Sequence, residues 1–138
     1  MFEKYKAVKT DEPAGWIEQE ELCWQALYFS GSSYNRDGYE RSSYYETEQK
    51  AVEAAKEAER IGNQLSHLTG QKIRKFVHSE FLDANTRLDI QSLDTGEYKY
   101  TLLFFDGENY YGRANDGQAY ESQVSCYTAA YLHFITND

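Results

Sequence analysis

One long amphipathic helix constrains this chain more than any other feature of its sequence. Thr47 is a good N-cap residue, Glu48 suits the positive end of a helix, and the run AVEAAKEAER that includes Ala51 consists of strong helix formers. Apolar residues recur at three- and four-residue spacing and predict a stripe along one face. These residues are Val52, Ala55, Ala58, Ile61, Leu65 and Leu68. The pattern predicts a helix over residues 48–68, with Gly70 as the residue that stops it. The small side chains of its first half predict close packing against a sheet.

Short segments with aromatic and β-favouring residues surround this helix and predict strands, two before it and four after it. The predicted strands lie at 22–30, 39–46, 73–82, 87–93, 97–105 and 108–114. Asp106-Gly107 is the strongest hairpin signal, and it predicts a type I′ turn. The segment 121–136 carries apolar residues at helical spacing and is predicted to be a helix, with a strand as the alternative.

This order of elements predicts an α+β fold. We expect a single antiparallel sheet of about five or six strands, with the long helix and a C-terminal helix packed on one face. Residues 15–138 are predicted to form one globular domain, and residues 1–14 a flexible arm or edge segment.

The composition favours a binding protein. The chain has 13 tyrosines and a net charge of −9. Tyrosine provides a large, rigid contact surface, and excess carboxylates attract basic partners while they repel nucleic acid and anionic membranes. The acids fall in two blocks. Residues 11–21 contain five acids and no base, and residues 76–138 contain ten acids and three bases, a net charge of −7.

Several classes of protein are disfavoured by what the sequence lacks. It has no apolar run of the roughly 18 residues that a membrane span needs, and no signal-peptide pattern near Met1. We therefore expect a cytoplasmic protein, in the host cytoplasm if a phage encodes it. Cys23 and Cys126 are far apart and are interpreted as reduced thiols. The sequence predicts no catalytic residue, no metal site and no cofactor, because it contains no motif for them.

Two constellations are candidate binding sites. The first is an acidic hairpin in which carboxylates beside tyrosines imitate phosphate charge and anchor a partner. Its residues are Asp94, Glu97, Asp106, Glu108, Tyr110, Tyr111 and Asp116. The second is a turn-rich segment in which arginine and tyrosine alternate and provide planar groups for stacking. Its residues are Tyr34, Arg36, Tyr39, Arg41 and Tyr44. For each constellation the alternative is an ordinary hairpin whose aromatic residues pack in the fold.

These observations favour a non-enzymatic protein that inhibits or modulates a basic partner, a component of a nucleic-acid-handling complex, without binding nucleic acid or membrane itself. Small acidic anti-restriction and anti-CRISPR inhibitors of phages and mobile elements act in this general way, some as DNA mimics, and the comparison is one of class only. The first alternative is a small-ligand or nucleotide-binding domain with an aromatic pocket, in which Arg36, Arg41 or the bases at 72–75 hold an anionic group. The second is an oligomeric structural or accessory protein. An enzyme is the least favoured class.

Overall fold

The computed structural model describes residues 2–10, 23–70 and 72–136. The chain divides into two compact units. The N-terminal unit consists of Glu3–Ser30 and Tyr39–Ile73, and the C-terminal unit consists of Met1–Phe2, Gly31–Gly38 and Arg74–Asp138. The acidic block predicted at 11–21 lies outside the described residues.

The N-terminal unit is a three-stranded antiparallel sheet in the order β1-β2-β3, with one helix packed on it. Its elements are β1 (Tyr5–Lys9), β2 (Trp24–Phe29), β3 (Tyr39–Tyr45) and α1 (Glu48–Leu68). The predicted helix is confirmed. The Thr47 side chain accepts a hydrogen bond from the Lys50 amide at 3.1 Å, and Gly70 follows the helix with a φ of +74°. The segment predicted as an arm or edge contains β1, which is the edge strand.

Small side chains let the first half of α1 pack closely on its sheet. Ala51 and Ala55 are fully buried and form a cluster with Ala26 of β2. The hydroxyl group of Tyr5 donates a hydrogen bond to a carboxylate oxygen of Glu59 at 2.6 Å and so joins β1 to the helix. Burial and the Glu59 carboxylate raise the pKa of Tyr5 to about 12.

The predicted apolar stripe fails in the second half of α1. Ile61, Leu65 and Leu68 are exposed, and Leu68 retains 85% of its accessible surface. A helix of 21 residues is about 31 Å long at 1.5 Å per residue. Strands of five to seven residues span only about 24 Å or less. The sheet of this unit is therefore too short to cover the whole helix.

The C-terminal unit is a four-stranded antiparallel sheet in the order β4-β5-β6-β7, with a second helix on one face. Its elements are β4 (Lys75–Asp83), β5 (Thr86–Ser92), β6 (Tyr98–Asp106), β7 (Asn109–Ala114) and α2 (Gln123–Thr136). Leu88, Ile90 and Leu102 form the core of this unit with Cys126 and Ala130 of α2. The C-terminal helix is thus confirmed over its strand alternative.

The α+β class is confirmed, but the single sheet is wrong. The described residues form two sheets, of three and four strands, and α1 and α2 pack on different ones. Periodicity identifies a strand from its own residues, whereas its lateral neighbours depend on hydrogen bonds to distant segments. The sequence prediction also missed β1, whose five residues pair with β2 from Tyr5↔Tyr28 to Lys9↔Trp24.

The hairpin between β6 and β7 is confirmed, but its turn type is wrong. Asp106 pairs with Asn109, so Gly107 and Glu108 are the central residues of the turn. Gly107 has a φ of +60°, and no other residue type in the described ranges has a positive φ. A positive φ at the first central residue alone excludes a type I′ turn and is the pattern of a type II′ turn.

Neither helix of the described ranges combines the length and apolar character needed to cross a membrane. Both cysteines are free thiols.

Candidate anion-binding cleft

The two faces of the four-stranded sheet differ in chemistry. One face packs against α2 through Leu88, Ile90 and Leu102. The opposite face forms the floor of a concave site of about 300 Å³, which we call the sheet cleft. Its polar lining includes Arg74, Gln91, Lys99, Thr101, Arg113 and Asn115. A polar, concave sheet surface in a unit whose other face is already covered is a candidate ligand site.

Strand register explains how residues distant in sequence meet on this face. Lys99 of β6 lies opposite Gln91 of β5, and Thr101 lies opposite Asp89. Arg113 of β7 lies opposite Leu103. Because directly opposed residues in an antiparallel pair project to the same side of the sheet, all of these side chains share the cleft face.

Positive charge concentrates on this face. The acidic stretch 76–138 contains only three bases, Arg87, Lys99 and Arg113. Arg87 and Arg113 both pair with Leu103, and Lys99 precedes Leu103 by four residues in the same strand. An even spacing along a strand keeps side chains on one side. All three bases therefore project to the cleft face, where Arg74 also lines the site.

Arg87 is the internal anchor of this arrangement. Its side chain is fully buried and binds the Asp89 carboxylate through two nitrogens, Nε to Oδ1 at 3.0 Å and Nη2 to Oδ2 at 2.9 Å. The guanidinium also donates to four carbonyl oxygens at 3.0–3.2 Å. These belong to Gly31, Ser32, Asn35 and Arg36. The loop Gly31–Gly38 is held against the sheet in this way, and Gly31 and Ser33 form one wall of the cleft.

Asp89 is a carboxylate in the cleft lining, and its charge is balanced internally. Its Oδ1 atom accepts a hydrogen bond from the Ser79 hydroxyl at 2.7 Å in addition to those from Arg87. Burial raises the pKa of Asp89, and the attraction of Arg87 opposes that shift. Within the described residues, Lys99 and Arg113 form no ion pair. The cleft surface therefore carries positive charge that these carboxylate contacts do not neutralise.

Aromatic side chains complete the site. Phe76 is buried at one end, and the Arg74 guanidinium lies 5.1 Å from the centre of its ring. Tyr110 packs edge-on against Phe105, with ring centres 6.0 Å apart, and remains 37% exposed. The cleft thus offers guanidinium, ammonium, amide and hydroxyl donors beside an accessible aromatic ring, a combination suited to an anionic ligand with an apolar part.

The residues predicted as an acidic hairpin do not form one cluster. Asp94 and Glu97 lie at the β5–β6 turn, whereas Asp106 and Glu108 lie at the β6–β7 turn. The nine residues of β6 separate the two pairs by about 31 Å at 3.4 Å per residue. The remaining members also diverge.

The tyrosines and the last acid of that set lie on different parts of the sheet. Tyr110 lines the cleft, while Tyr111 stacks on Phe104, a side chain packed against the α2 core. Asp116 accepts a hydrogen bond from the Tyr120 hydroxyl.

The arginine and tyrosine set is divided between the two units. In the C-terminal unit, Tyr34 is 94% exposed, and Arg36 packs its guanidinium 5.1 Å from the centre of the Phe81 ring. Arg36 also donates a hydrogen bond to the Gly107 carbonyl oxygen.

The other members of that set lie in β3 of the N-terminal unit. Tyr39 is buried and donates to the Glu3 carbonyl oxygen, and Arg41 donates to the Tyr39 carbonyl oxygen. Tyr44 is half-buried. The side chains of Arg36, Tyr39 and Arg41 thus each make structural contacts within their own unit.

The sequence prediction missed Lys99, Arg113, Gln91 and Asn115 as site residues, and it named Arg74 only within the basic segment 72–75. Alternation along β6 does place Lys99 and Thr101 on one side of that strand. Arg113 could have been noticed as one of three bases in an acidic stretch. Its position opposite Leu103, however, is known only from the register of the β6–β7 pair.

A hydrogen-bonded cluster occupies the α2 side of the same sheet. The hydroxyl oxygen of Tyr100 lies 2.6 Å from His133 Nδ1, and Tyr120 donates to Asp116. Burial, with Asp116 nearby, raises the pKa of Tyr100 and that of the Cys126 thiol, the latter to about 11. These groups are therefore protonated at neutral pH. A protonated thiol is a poor nucleophile, so this cluster contributes packing and hydrogen bonds.

Comparison of the chain with protein-family models, with curated proteins and with solved structures gave no match.

Proposed function

We propose that this protein binds a small anionic ligand, one that carries a phosphate or carboxylate group, in the sheet cleft. The observation that carries the proposal is the convergence of Lys99 and Arg113 on one face of a unit whose other charges are predominantly acidic. In this proposal the protein is a binding protein rather than an enzyme.

The donor set supports an anion as ligand. A guanidinium forms paired hydrogen bonds with carboxylate or phosphate oxygens, and an ammonium group provides a compact point charge. Gln91 and Asn115 add amide groups that orient a polar ligand. The volume of about 300 Å³ is at the lower end of the usual range of ligand sites, which supports a metabolite of modest size. The exposed ring of Tyr110 offers a surface for an apolar or planar part, as in a nucleotide.

Thermal denaturation with defined anions tests this proposal. The probes are inorganic phosphate, adenosine monophosphate and citrate, at constant ionic strength. A ligand that binds only the folded state raises Tm with its concentration, because binding stabilises by RT ln(1 + [L]/Kd). We expect at least one probe to raise Tm of the wild-type protein. The double variant Lys99→Gln/Arg113→Gln should lose that increase.

A matched control separates site binding from a general effect of charge. The double variant Lys50→Gln/Arg60→Gln removes the same two charges from exposed positions on α1. It should respond to the probes as the wild-type protein does. Equal responses in both double variants, or no response of the wild-type protein to any probe, would contradict the proposal.

Binding to a basic partner protein is the second candidate function, and the β6–β7 turn favours it. Asp106 and Glu108 are exposed there, and the neighbouring Tyr111 retains 69% of its accessible surface. Acids at such a turn accelerate association with a basic surface, and an exposed tyrosine provides an anchor. Pull-down from lysate at low and high salt tests this function. Retained protein should be released by salt and lost with Asp106→Lys/Glu108→Lys but kept with Glu97→Lys, whereas capture insensitive to salt would contradict it.

A further inference from the structure

The outward face of α2 carries an apolar stripe. Val124, Tyr131, Leu132 and Ile135 are all exposed, and Val124 retains 77% of its accessible surface. At 3.6 residues per turn these residues and Thr128 fall within an arc of about 100°. The core residues Cys126 and Ala130 lie on the opposite side of the helix. Apolar residues therefore cover both the side of the helix that packs on β5 and β6 and the side that faces outward.

Charge distinguishes this helix from an ordinary exposed one. Gln123–Thr136 contains no aspartate, glutamate, lysine or arginine, in a chain with a net charge of −9. By contrast, α1 carries exposed charged residues such as Glu53, Lys56 and Glu57. A helix that is apolar all round is normally buried on all sides, so the outward face of α2 has the composition of an interface.

The threonine hydroxyls on and beside this face are already satisfied. The Thr128 hydroxyl donates to the Val124 carbonyl oxygen at 2.9 Å, and the Thr136 hydroxyl donates to the Leu132 carbonyl oxygen at 2.7 Å. Both bonds lie within the helix. Covering the face therefore leaves neither hydroxyl without a partner, and this removes the main cost of burying threonine.

The spacing of the stripe defines the shape of its partner. Val124, Thr128, Tyr131 and Ile135 follow one another at intervals of four, three and four residues. This is the seam spacing with which two α-helices pack along each other. Charged residues flanking such a seam set the choice and orientation of the partner, and this helix carries none that would repel an identical helix. An identical helix satisfies both conditions, because it supplies the same spacing and adds no charge at the contact.

We infer that α2 is a homodimer interface, in which the outward stripe packs against the same stripe of a second copy of this chain. A 14-residue helix is about 21 Å long, so this contact buries less than the roughly 800 Å² per partner of a standard stable interface. We therefore expect a dimer that dissociates on dilution through the micromolar range.

Sedimentation velocity over micromolar to millimolar concentration tests the inference. The wild-type protein should shift from the mass of one 16.1 kDa chain to that of two as its concentration rises. Ile135→Glu should abolish the shift, because it places two carboxylates in the seam. The control Leu68→Glu changes an apolar residue that is 85% exposed on α1 and should leave the shift unchanged. Far-UV circular dichroism confirms that each variant is folded.

Charge complementation gives the second arm of the test. Mixing Ile135→Glu with Ile135→Lys should restore the dimer if the two helices run parallel, and mixing Ile135→Glu with Val124→Lys should restore it if they run antiparallel. A wild-type protein that stays monomeric at millimolar concentration overturns the inference. So does a dimer that persists in Ile135→Glu, or the failure of both mixtures.

Discussion

Arg87 and Asp89 form a buried ion pair on the cleft face of β5, with Arg87 Nη2 2.9 Å from Asp89 Oδ2 and side chains that are 0% and 3% exposed. They are two residues apart in one strand and therefore project to the same side of the sheet. The guanidinium has more N–H donors than the carboxylate can accept from. The remaining N–H groups donate to carbonyl oxygens of the loop Gly31–Gly38. One side chain thus joins the sheet to the wall of the cleft.

Replacement of Arg87 by leucine should destabilise the protein by about 3–5 kcal/mol, because it leaves the Asp89 carboxylate buried without its partner. The four loop carbonyl groups also lose their donor. Urea denaturation measures the loss. Arg113→Leu, at an exposed position on the same face, should change the free energy of unfolding by less than about 0.5 kcal/mol. The double variant Arg87→Leu/Asp89→Leu should recover part of the loss, and equal losses in Arg87→Leu and Arg113→Leu would exclude this role for the pair.

Gly31→Ala should destabilise the protein more than Gly96→Ala does. Both glycines have positive φ, +74° and +86°, so each substitution carries the same type of backbone penalty. A Cβ atom on Gly31 would also overlap the ring of Phe76, whereas one on Gly96 would meet no atom within 4 Å. We expect the difference to be about 1–3 kcal/mol in urea denaturation, the usual cost of overpacking. Equal losses would show that the Phe76 ring moves aside freely.

The protein should lose stability at alkaline pH. The pKa of Tyr5 rises from 10.0 to about 12 in the folded state, so its protonated form is favoured by folding. This contribution is complete below pH 10 and is lost as pH rises toward 12. In Tyr5→Phe the free energy of unfolding should be lower at neutral pH, because the bond to Glu59 is absent, and should fall less over that interval.

Urea denaturation at a series of pH values between 8 and 12 measures this dependence. Tyr34→Phe provides the control, because Tyr34 is 94% exposed, and it should retain the pH dependence of the wild-type protein. If Tyr5→Phe also retains the full dependence, the Tyr5 hydroxyl is not a source of it.

The two thiols should differ in reactivity. Cys126 is fully buried, and burial raises its pKa to about 11, so little thiolate is present at neutral pH. Cys23 is half-buried. Titration of the native protein with a thiol reagent should modify Cys23 first and Cys126 only after denaturation. The variant Cys23→Ala isolates the second thiol. If Cys126 in this variant reacts as fast in buffer as it does in urea, its buried position is contradicted.

Local sequence was sufficient for the helices and for most strands. Thr47 and Gly70 each act within a few residues of their own end of the helix, and the alanines favour helix locally, so the bounds of α1 follow from capping and helix propensity alone. The hairpin at Asp106-Gly107 is likewise a local signal. Its turn type was predicted wrongly because Gly107, rather than Asp106, is the first central residue, and this depends on where pairing of β6 with β7 ends.

The candidate site could be predicted only in part. Tyr110 is common to the predicted acidic hairpin and the cleft, and Arg74 lies in the basic segment that the ligand-binding alternative named. The acids at Glu97 and Asp106 are near in sequence but lie at opposite ends of β6. A strand extends by about 3.4 Å for each residue. Acids at the two ends of one strand are therefore far apart in space and do not form a compact patch.

The sequence by itself determined the α+β class, both helices, six of the seven described strands and the acidic, tyrosine-rich character of the chain. These depend on propensity, periodicity and composition, which act over a few residues. Only the tertiary structure decided that the strands form two sheets, that Arg87 is buried and holds the loop Gly31–Gly38, and that Lys99 and Arg113 share a cleft. These features arise from pairing between segments far apart in the chain, and that pairing is selected by the packing of a whole face against its core.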